Sequence, residues 1–64
     1  MIINGKNTTL QKEITVHELL LSEGYDPQRV AVEKNGDIIP KKNFETEMLA
    51  DSDKLEIVTF VGGG

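Results

Sequence analysis

The sequence predicts an α+β fold in which a mixed β-sheet packs on one main helix. Two Asn-Gly pairs, at 4–5 and 35–36, each lie between short apolar runs, and this dipeptide favours two-residue hairpin turns because both residues tolerate positive φ. One segment, "TVHELLLSEG", carries helix start and stop signals. The last segment, "LEIVTFVGGG", alternates as a strand does before it reaches three glycines.

The first hairpin comes from "MIINGK", a short apolar strand that turns at Asn4 and Gly5. The following "NTTLQKE" is interpreted as the returning strand, with Thr8 and Leu10 on one face. The sequence therefore begins with two antiparallel strands.

The helix has a capping box, with Thr15 as the N-cap and Glu18 three residues later. Gly24 stands where a left-handed C-terminal cap is expected. The apolar period is set by Val16, Leu19 and Leu20. We expect one helix of two to three turns.

A second hairpin is predicted in "VAVEKNGDIIP", where Pro40 confines the return strand to a sheet edge or ends it. The polar stretch "KKNFETEMLADSDK" is expected to be irregular and held to the core by Phe44, Met48 and Leu49. The last strand is predicted over 54–61.

If the last strand inserts beside the first and parallel to it, one mixed sheet can wrap the helix, which is the β-grasp arrangement. The predicted division is a folded domain over 1–61 and a flexible C-terminal glycine tail over 62–64. Glycine keeps the most backbone freedom of any residue, so a run of it adds no order of its own.

The amino-acid composition limits the classes of function that the chain can have. A chain of 64 residues with 38% hydrophobic residues can form one modest core without a buried catalytic cleft. It has no cysteine and one histidine, so thiol and multi-histidine metal chemistry are excluded. A net charge of -4 disfavours binding to nucleic acid and to anionic membranes. With no leader and no membrane-spanning run, we expect a cytoplasmic protein.

Two apolar side chains, Val58 and Phe60, lie on the predicted outer face of the last strand, which begins with charged residues. They form either a partner docking patch at the base of the tail or an ordinary pair of surface residues. In the second reading Phe60 folds over the sheet edge and Val58 reflects β-propensity alone.

The tail of Gly62, Gly63 and Gly64 can extend about 10 Å, at about 3.3 Å per residue. Without side chains it can enter a narrow slot in another protein's active site. Its terminal carboxylate has no Cβ to shield it, so a partner could adenylate it with ATP and a sulfur nucleophile could then displace the leaving group. This reading requires no catalytic pair within the chain itself.

The chain resembles the ThiS family of sulfur carriers in thiamine-thiazole biosynthesis, within the ubiquitin-like β-grasp superfamily. The similar pieces are "INGK", "TVHELL", "VAVEKNGDIIP" and "IVTFVGGG", which together span nearly the whole length. The resemblance implies a carrier protein and not an enzyme. It makes Gly64 the residue that becomes an adenylate and then a thiocarboxylate, with Gly63 before it; Gly62 is an extra glycine relative to members that end in two.

The resemblance also implies the partners. A ThiF-type adenylating enzyme would use ATP and magnesium, neither of which the chain itself binds. Sulfur would come indirectly from a cysteine desulfurase, and a ThiG-type thiazole synthase would accept it. We expect the free chain to be a monomer.

Other functions compete with this one. The small subunit of molybdopterin synthase is similar in fold and also ends in two glycines, and a carrier for a further sulfur pathway has the same needs. A ubiquitin-like protein modifier requires the same tail. A plain interaction domain would leave the tail inert.

His17 and a set of five carboxylates are the remaining side chains that could take part in chemistry or binding. His17, beside Glu18, is interpreted as a solvent-facing residue of the first helical turn, because adjacent helix residues point in different directions. Five carboxylates are interpreted as a solvated turn region, some of which steer docking, since their spacing matches no cation-binding loop. They are Glu45, Glu47, Asp51, Asp53 and Glu56.

Overall fold

A computed structural model describes residues 1–60 of the chain. Its elements are β1 (Ile2–Ile3), β2 (Lys6–Asn7), β3 (Ile14–Thr15), α1 (Val16–Ser22), β4 (Val30–Lys34), β5 (Asp37–Ile39), β6 (Met48–Leu49) and β7 (Lys54–Thr59). Two short 3-10 helices, Pro27–Arg29 and Lys41–Asn43, precede and follow the second hairpin.

The main sheet has the strand order β2-β1-β7-β4-β5. β7 runs parallel to β1 and antiparallel to β4, and the two hairpin pairs are antiparallel. The last strand therefore lies beside the first in the middle of the sheet, which confirms the predicted mixed sheet and β-grasp topology.

Both Asn-Gly turns form as predicted. Asn4 and Gly5 have φ of 50° and 82°, and Asn35 and Gly36 have φ of 52° and 90°. Positive φ at both central residues is the type I′ geometry whose twist matches that of the flanking strands.

The caps of α1 are also confirmed. The Thr15 hydroxyl accepts from the Glu18 N–H at 3.1 Å, and the Glu18 carboxylate accepts from the Thr15 N–H at 2.9 Å. Gly24 has φ of 84°, and the Tyr25 N–H donates to the Leu20 carbonyl at 2.9 Å, closing a Schellman motif. The bond from the Thr15 N–H lowers the pKa of Glu18.

The core lies between α1 and the inner face of the main sheet. Its buried members are Met1, Ile3, Val16, Leu19, Leu20, Val30, Val32, Ile39, Phe44, Leu49, Leu55 and Ile57. The prediction that Met48 pins the irregular stretch is wrong, because β6 alternates: Leu49 pairs with Ile14 and is buried, while Met48 points outward.

Two boundaries differ from the predictions. The returning strand is short, since β2 ends at Asn7 and the Leu10 N–H bonds to the Asp51 carboxylate instead of a neighbouring strand. β7 ends at Thr59, which is exposed, so the core face stops at Ile57. The predicted end at residue 61 and the predicted domain boundary there lie outside the described residues.

Candidate functional site

The candidate site is the end of β7, from which the C-terminal residues continue. Val30 and Thr59 form the last residue pair between β4 and β7. One further bond follows, in which the Phe60 N–H donates to the Arg29 carbonyl at 2.7 Å. The chain is therefore held by β4, and then by the residue that precedes β4, up to the last residue that the structure describes.

Asn4 restrains the other side of β7. Backbone pairing with β1 ends at Leu55, and the Asn4 side chain continues it: its oxygen accepts from the Ile57 N–H at 2.7 Å and its amide donates to the Ile57 carbonyl at 3.1 Å. One carboxamide thus satisfies both backbone groups of a buried residue that the two-residue β1 does not reach.

Phe60 is also held through its side chain. The Lys41 ammonium lies 5.6 Å from the centre of the Phe60 ring, within cation–π range. The same ammonium donates to the Gln28 carbonyl at 2.7 Å. Sequence reasoning missed Lys41, because nothing local marks a contact between residues 19 positions apart.

Both predicted docking residues are solvent-exposed, Val58 by 58% and Phe60 by 54%. These exposures fit either of the two predicted roles. Val58 lies opposite Ala31 of β4 on the outer face of the sheet. The structure therefore places Val58 and Phe60 on the surface beside the end of β7, while their docking role stays a prediction.

The outer face has further members that sequence reasoning missed. Ile2 and Ile38 are exposed there, and Glu33 lies directly opposite Glu56. The position of Ile38 could have been predicted from the hairpin, because a two-residue turn at 35–36 places Ile38 directly opposite Glu33 on the paired strand. The face therefore combines these apolar side chains with the two carboxylates and with Lys54, which lies opposite Ile2.

Three of the five carboxylates interpreted as a solvated turn region also make structural hydrogen bonds, which that interpretation did not include. Asp51 accepts from the Met1 ammonium at 2.9 Å and from the Leu10 N–H at 2.8 Å. Asp53 accepts from the Ala50 N–H at 2.8 Å. Glu47 accepts from the Lys34 ammonium at 2.8 Å.

These hydrogen bonds shift the pKa values of the groups that make them. The Leu10 N–H, followed by the N-terminal ammonium, lowers the pKa of Asp51. Burial alone would raise the pKa of Asp53, but bonds from Ala50 N–H and the Asn35 side chain, with the nearby Lys34 ammonium, lower it overall. The bond to Glu47 raises the pKa of Lys34.

His17 is half-buried, and not fully solvent-facing as predicted, since it lines a shallow cavity of about 170 Å³ with Phe44 and Glu45. Within residues 1–60 no three acidic or histidine side chains converge as a metal site would need. No helix in the same range is long and apolar enough to span a bilayer. The predicted functional residues Gly62, Gly63 and Gly64 lie outside the described part of the chain.

Comparison with known proteins identifies relatives across the full length. A model of the ThiS family matches residues 1–64. The sulfur carrier protein ThiS of Bacillus subtilis is 41% identical over 63 residues, covering 97% of this chain and 96% of that protein. The thiazole synthase of Paramagnetospirillum magneticum is 44% identical over 64 residues, covering all of this chain but only 20% of that protein.

A solved structure has the same fold. The crystal structure of the thiamine biosynthesis protein ThiS from Geobacter metallireducens superposes with a TM-score of 0.82 at 32% identity, covering 98% of this chain and 96% of that one. The chain thus spans a fifth of the thiazole synthase and nearly all of the two smaller relatives. With these matches confirming the resemblance of its motifs, the chain belongs to the ThiS family of thiamine-biosynthesis sulfur carrier proteins.

Proposed function

We propose that the chain carries sulfur as a thiocarboxylate on Gly64 and donates it to the thiazole ring during thiamine biosynthesis. The observation that carries this proposal is the path of β7. The central strand of the sheet, restrained on both sides, leads within a few residues into the terminal glycines. A folded body that anchors the segment leading to an unhindered terminal carboxylate suits a protein whose carboxylate is modified by partner enzymes.

The proposed chemistry has two steps. A carboxylate oxygen of Gly64 attacks the α-phosphorus of ATP in the adenylating enzyme and displaces pyrophosphate. Sulfide from the sulfur source then attacks the acyl carbon and displaces AMP, so that a carbon–sulfur bond replaces a carbon–oxygen bond and the thiocarboxylate forms. Gly62 and Gly63 would pass through the narrow entrance of the partner's active site, because they have no side chains.

The proposed partners are a ThiF-type adenylating enzyme and a ThiG-type thiazole synthase, with a cysteine desulfurase as indirect sulfur source. The thiazole synthase of P. magneticum includes a segment similar to this whole chain, which supports a partnership with that class of enzyme. ATP and magnesium belong to the adenylating enzyme. We propose a cytoplasmic chain that is monomeric when free.

Docking is proposed to use the apolar surface at the base of the tail, Val58 and Phe60. Both are exposed and directly precede the segment that must enter the partner. Of the carboxylates proposed to steer docking, Glu45 and Glu56 stay exposed and hold no hydrogen bond within residues 1–60, so they are the ones available to a basic partner surface.

The test is the intact mass of the chain after incubation with a ThiF-type enzyme, ATP, magnesium and a sulfur source. The wild-type chain is expected to gain the mass difference between sulfur and oxygen. A chain that lacks Gly64 keeps the same folded body and should gain nothing. An unchanged wild-type mass, with a known ThiS protein modified in parallel, would overturn the proposal.

A further inference from the structure

Three distant parts of the chain meet at Phe60, and this inference about them rests on the proposed function of the tail. The Phe60 N–H bonds to the Arg29 carbonyl, and the Phe60 ring faces the Lys41 ammonium. That ammonium is itself bonded to the Gln28 carbonyl. Two neighbouring carbonyls of one 3-10 helix therefore hold Phe60. The Arg29 carbonyl binds its backbone directly, and the Gln28 carbonyl holds its ring through Lys41.

Burial alone does not explain how the Phe60 ring is held. The side chain is 54% exposed, so a large share of its apolar surface stays in water. A cation over the ring supplies a directional contact instead. The bond to Gln28 matters because a free lysine ammonium on a four-carbon stem would sample many positions.

We propose that Lys41 is a positioning residue for the sulfur-transfer tail: bridging the Gln28 carbonyl and the Phe60 ring, it fixes the point from which residues 61–64 depart. Those four residues span at most about 13 Å at about 3.3 Å each. Because this reach is short, motion of Phe60 would displace the Gly64 carboxylate from its position in the partner's active site. Displacement of a reacting atom slows the reaction.

The test uses three full-length variants in the adenylation assay, with pyrophosphate release followed at varied carrier concentration. Lys41→Met removes the cation and keeps an unbranched stem, whereas Lys41→Arg keeps a cation and a donor. Lys42→Met is the matched control: the neighbouring lysine is exposed and bonds to nothing within residues 1–60. Amide ¹⁵N relaxation of Phe60 is measured in all of them, without any enzyme.

We expect Lys41→Met to lower kcat about two- to five-fold with KM unchanged, the factor that an exposed cation–π contact supports. Fast motion of the Phe60 amide should increase in the same variant. Lys41→Arg should restore both readouts, and Lys42→Met should match the wild type.

The proposal is overturned if Lys41→Met raises KM alone, which would make Lys41 a docking contact, or if it behaves as the wild type while the Phe60 amide stays rigid. Failure of the proposed function looks different. In that case the wild-type chain itself releases no pyrophosphate, and the positioning role falls together with it.

Discussion

Asn4 has two structural roles that depend on one conformation. Its positive φ forms the first hairpin turn, and this turn directs the side chain onto Ile57, where it makes two hydrogen bonds to the backbone of β7. The first role could be predicted from the Asn-Gly pair alone. The second could not, because Ile57 lies 53 residues further along the chain and no local pattern marks it.

Replacing Asn4 therefore tests whether the side chain holds β7. Asn4→Gly keeps the positive φ but leaves both backbone groups of Ile57 without their partners. We expect the free energy of unfolding to fall by about 1–3 kcal/mol, the usual cost of unsatisfied buried polar groups. Urea denaturation measures it.

Asn4→Asp is the companion variant. It tolerates positive φ and keeps an acceptor for the Ile57 N–H, but it sets a carboxylate oxygen where the amide donated to the Ile57 carbonyl, so it too should be less stable than the wild type. If Asn4→Gly is as stable as the wild type, the side chain of Asn4 serves only the turn.

Among the elements, β7 joins the core to the proposed docking surface. Its inner residues, Leu55 and Ile57, are buried, while Val58 on its outer face is exposed. The alternation of apolar and polar residues predicted this division. The same alternation could not predict where the strand ends, since this depends on pairing with β4 and on the Arg29 carbonyl.

Val58→Ser tests the docking surface. Removing two methyl groups from a contact that becomes buried should weaken binding to the adenylating enzyme about five- to thirty-fold. Isothermal titration calorimetry with the ThiF-type partner gives the affinity.

Leu21→Ser is the matched control, because Leu21 is exposed by 57% against 58% for Val58 but belongs to α1 and not to the sheet. Its affinity should equal that of the wild type. Equal weakening by both variants would mean that docking does not single out the end of β7.

The small ribbon formed by β3 and β6 shows a limit of sequence reasoning at this scale. Each strand has two residues, and 32 residues separate Thr15 from Met48. Hydrophobic alternation needs four or more residues to be visible, so the pairing leaves no local signal. The ribbon explains why the stretch predicted as irregular buries Leu49 and exposes Met48.

For the whole molecule, the N-terminal ammonium is tied by charge to the turn that precedes β7. The Met1 ammonium and the Leu10 N–H both bond to Asp51, which lowers its pKa below the ordinary value of 3.8. The folded state therefore holds this proton more weakly than the unfolded state. Its contribution to stability is fully present above pH 3.8 and is lost as the pH falls through the folded pKa.

Asp51→Asn should accordingly be less stable than the wild type at neutral pH, and the difference should shrink in acid. Urea midpoints measured between neutral pH and about pH 3 provide the comparison. Glu45→Gln is the control, since this exposed side chain bonds to nothing within residues 1–60. A stability difference for Asp51→Asn that stays constant down to the lowest pH would contradict the assignment.

The overall topology was predictable because its determinants are local: two Asn-Gly turns, one capped helix and one alternating strand. The β-grasp arrangement was inferred from the order of these elements, and the family from the resemblance of the sequence motifs. The side-chain bonds that secure the fold, at Asn4, Asp51 and Lys41, join residues far apart in sequence, so only the folded structure reveals them.

The central claim is that the carboxylate of Gly64 does the work and the folded body presents it. The most direct test compares the natural chain with one amidated at Gly64, in a reconstituted system containing the adenylating enzyme, a sulfur source and the thiazole synthase. Thiazole formation should be complete with the free acid and absent with the amide, which cannot be adenylated. Equal thiazole formation from both chains would contradict the claim.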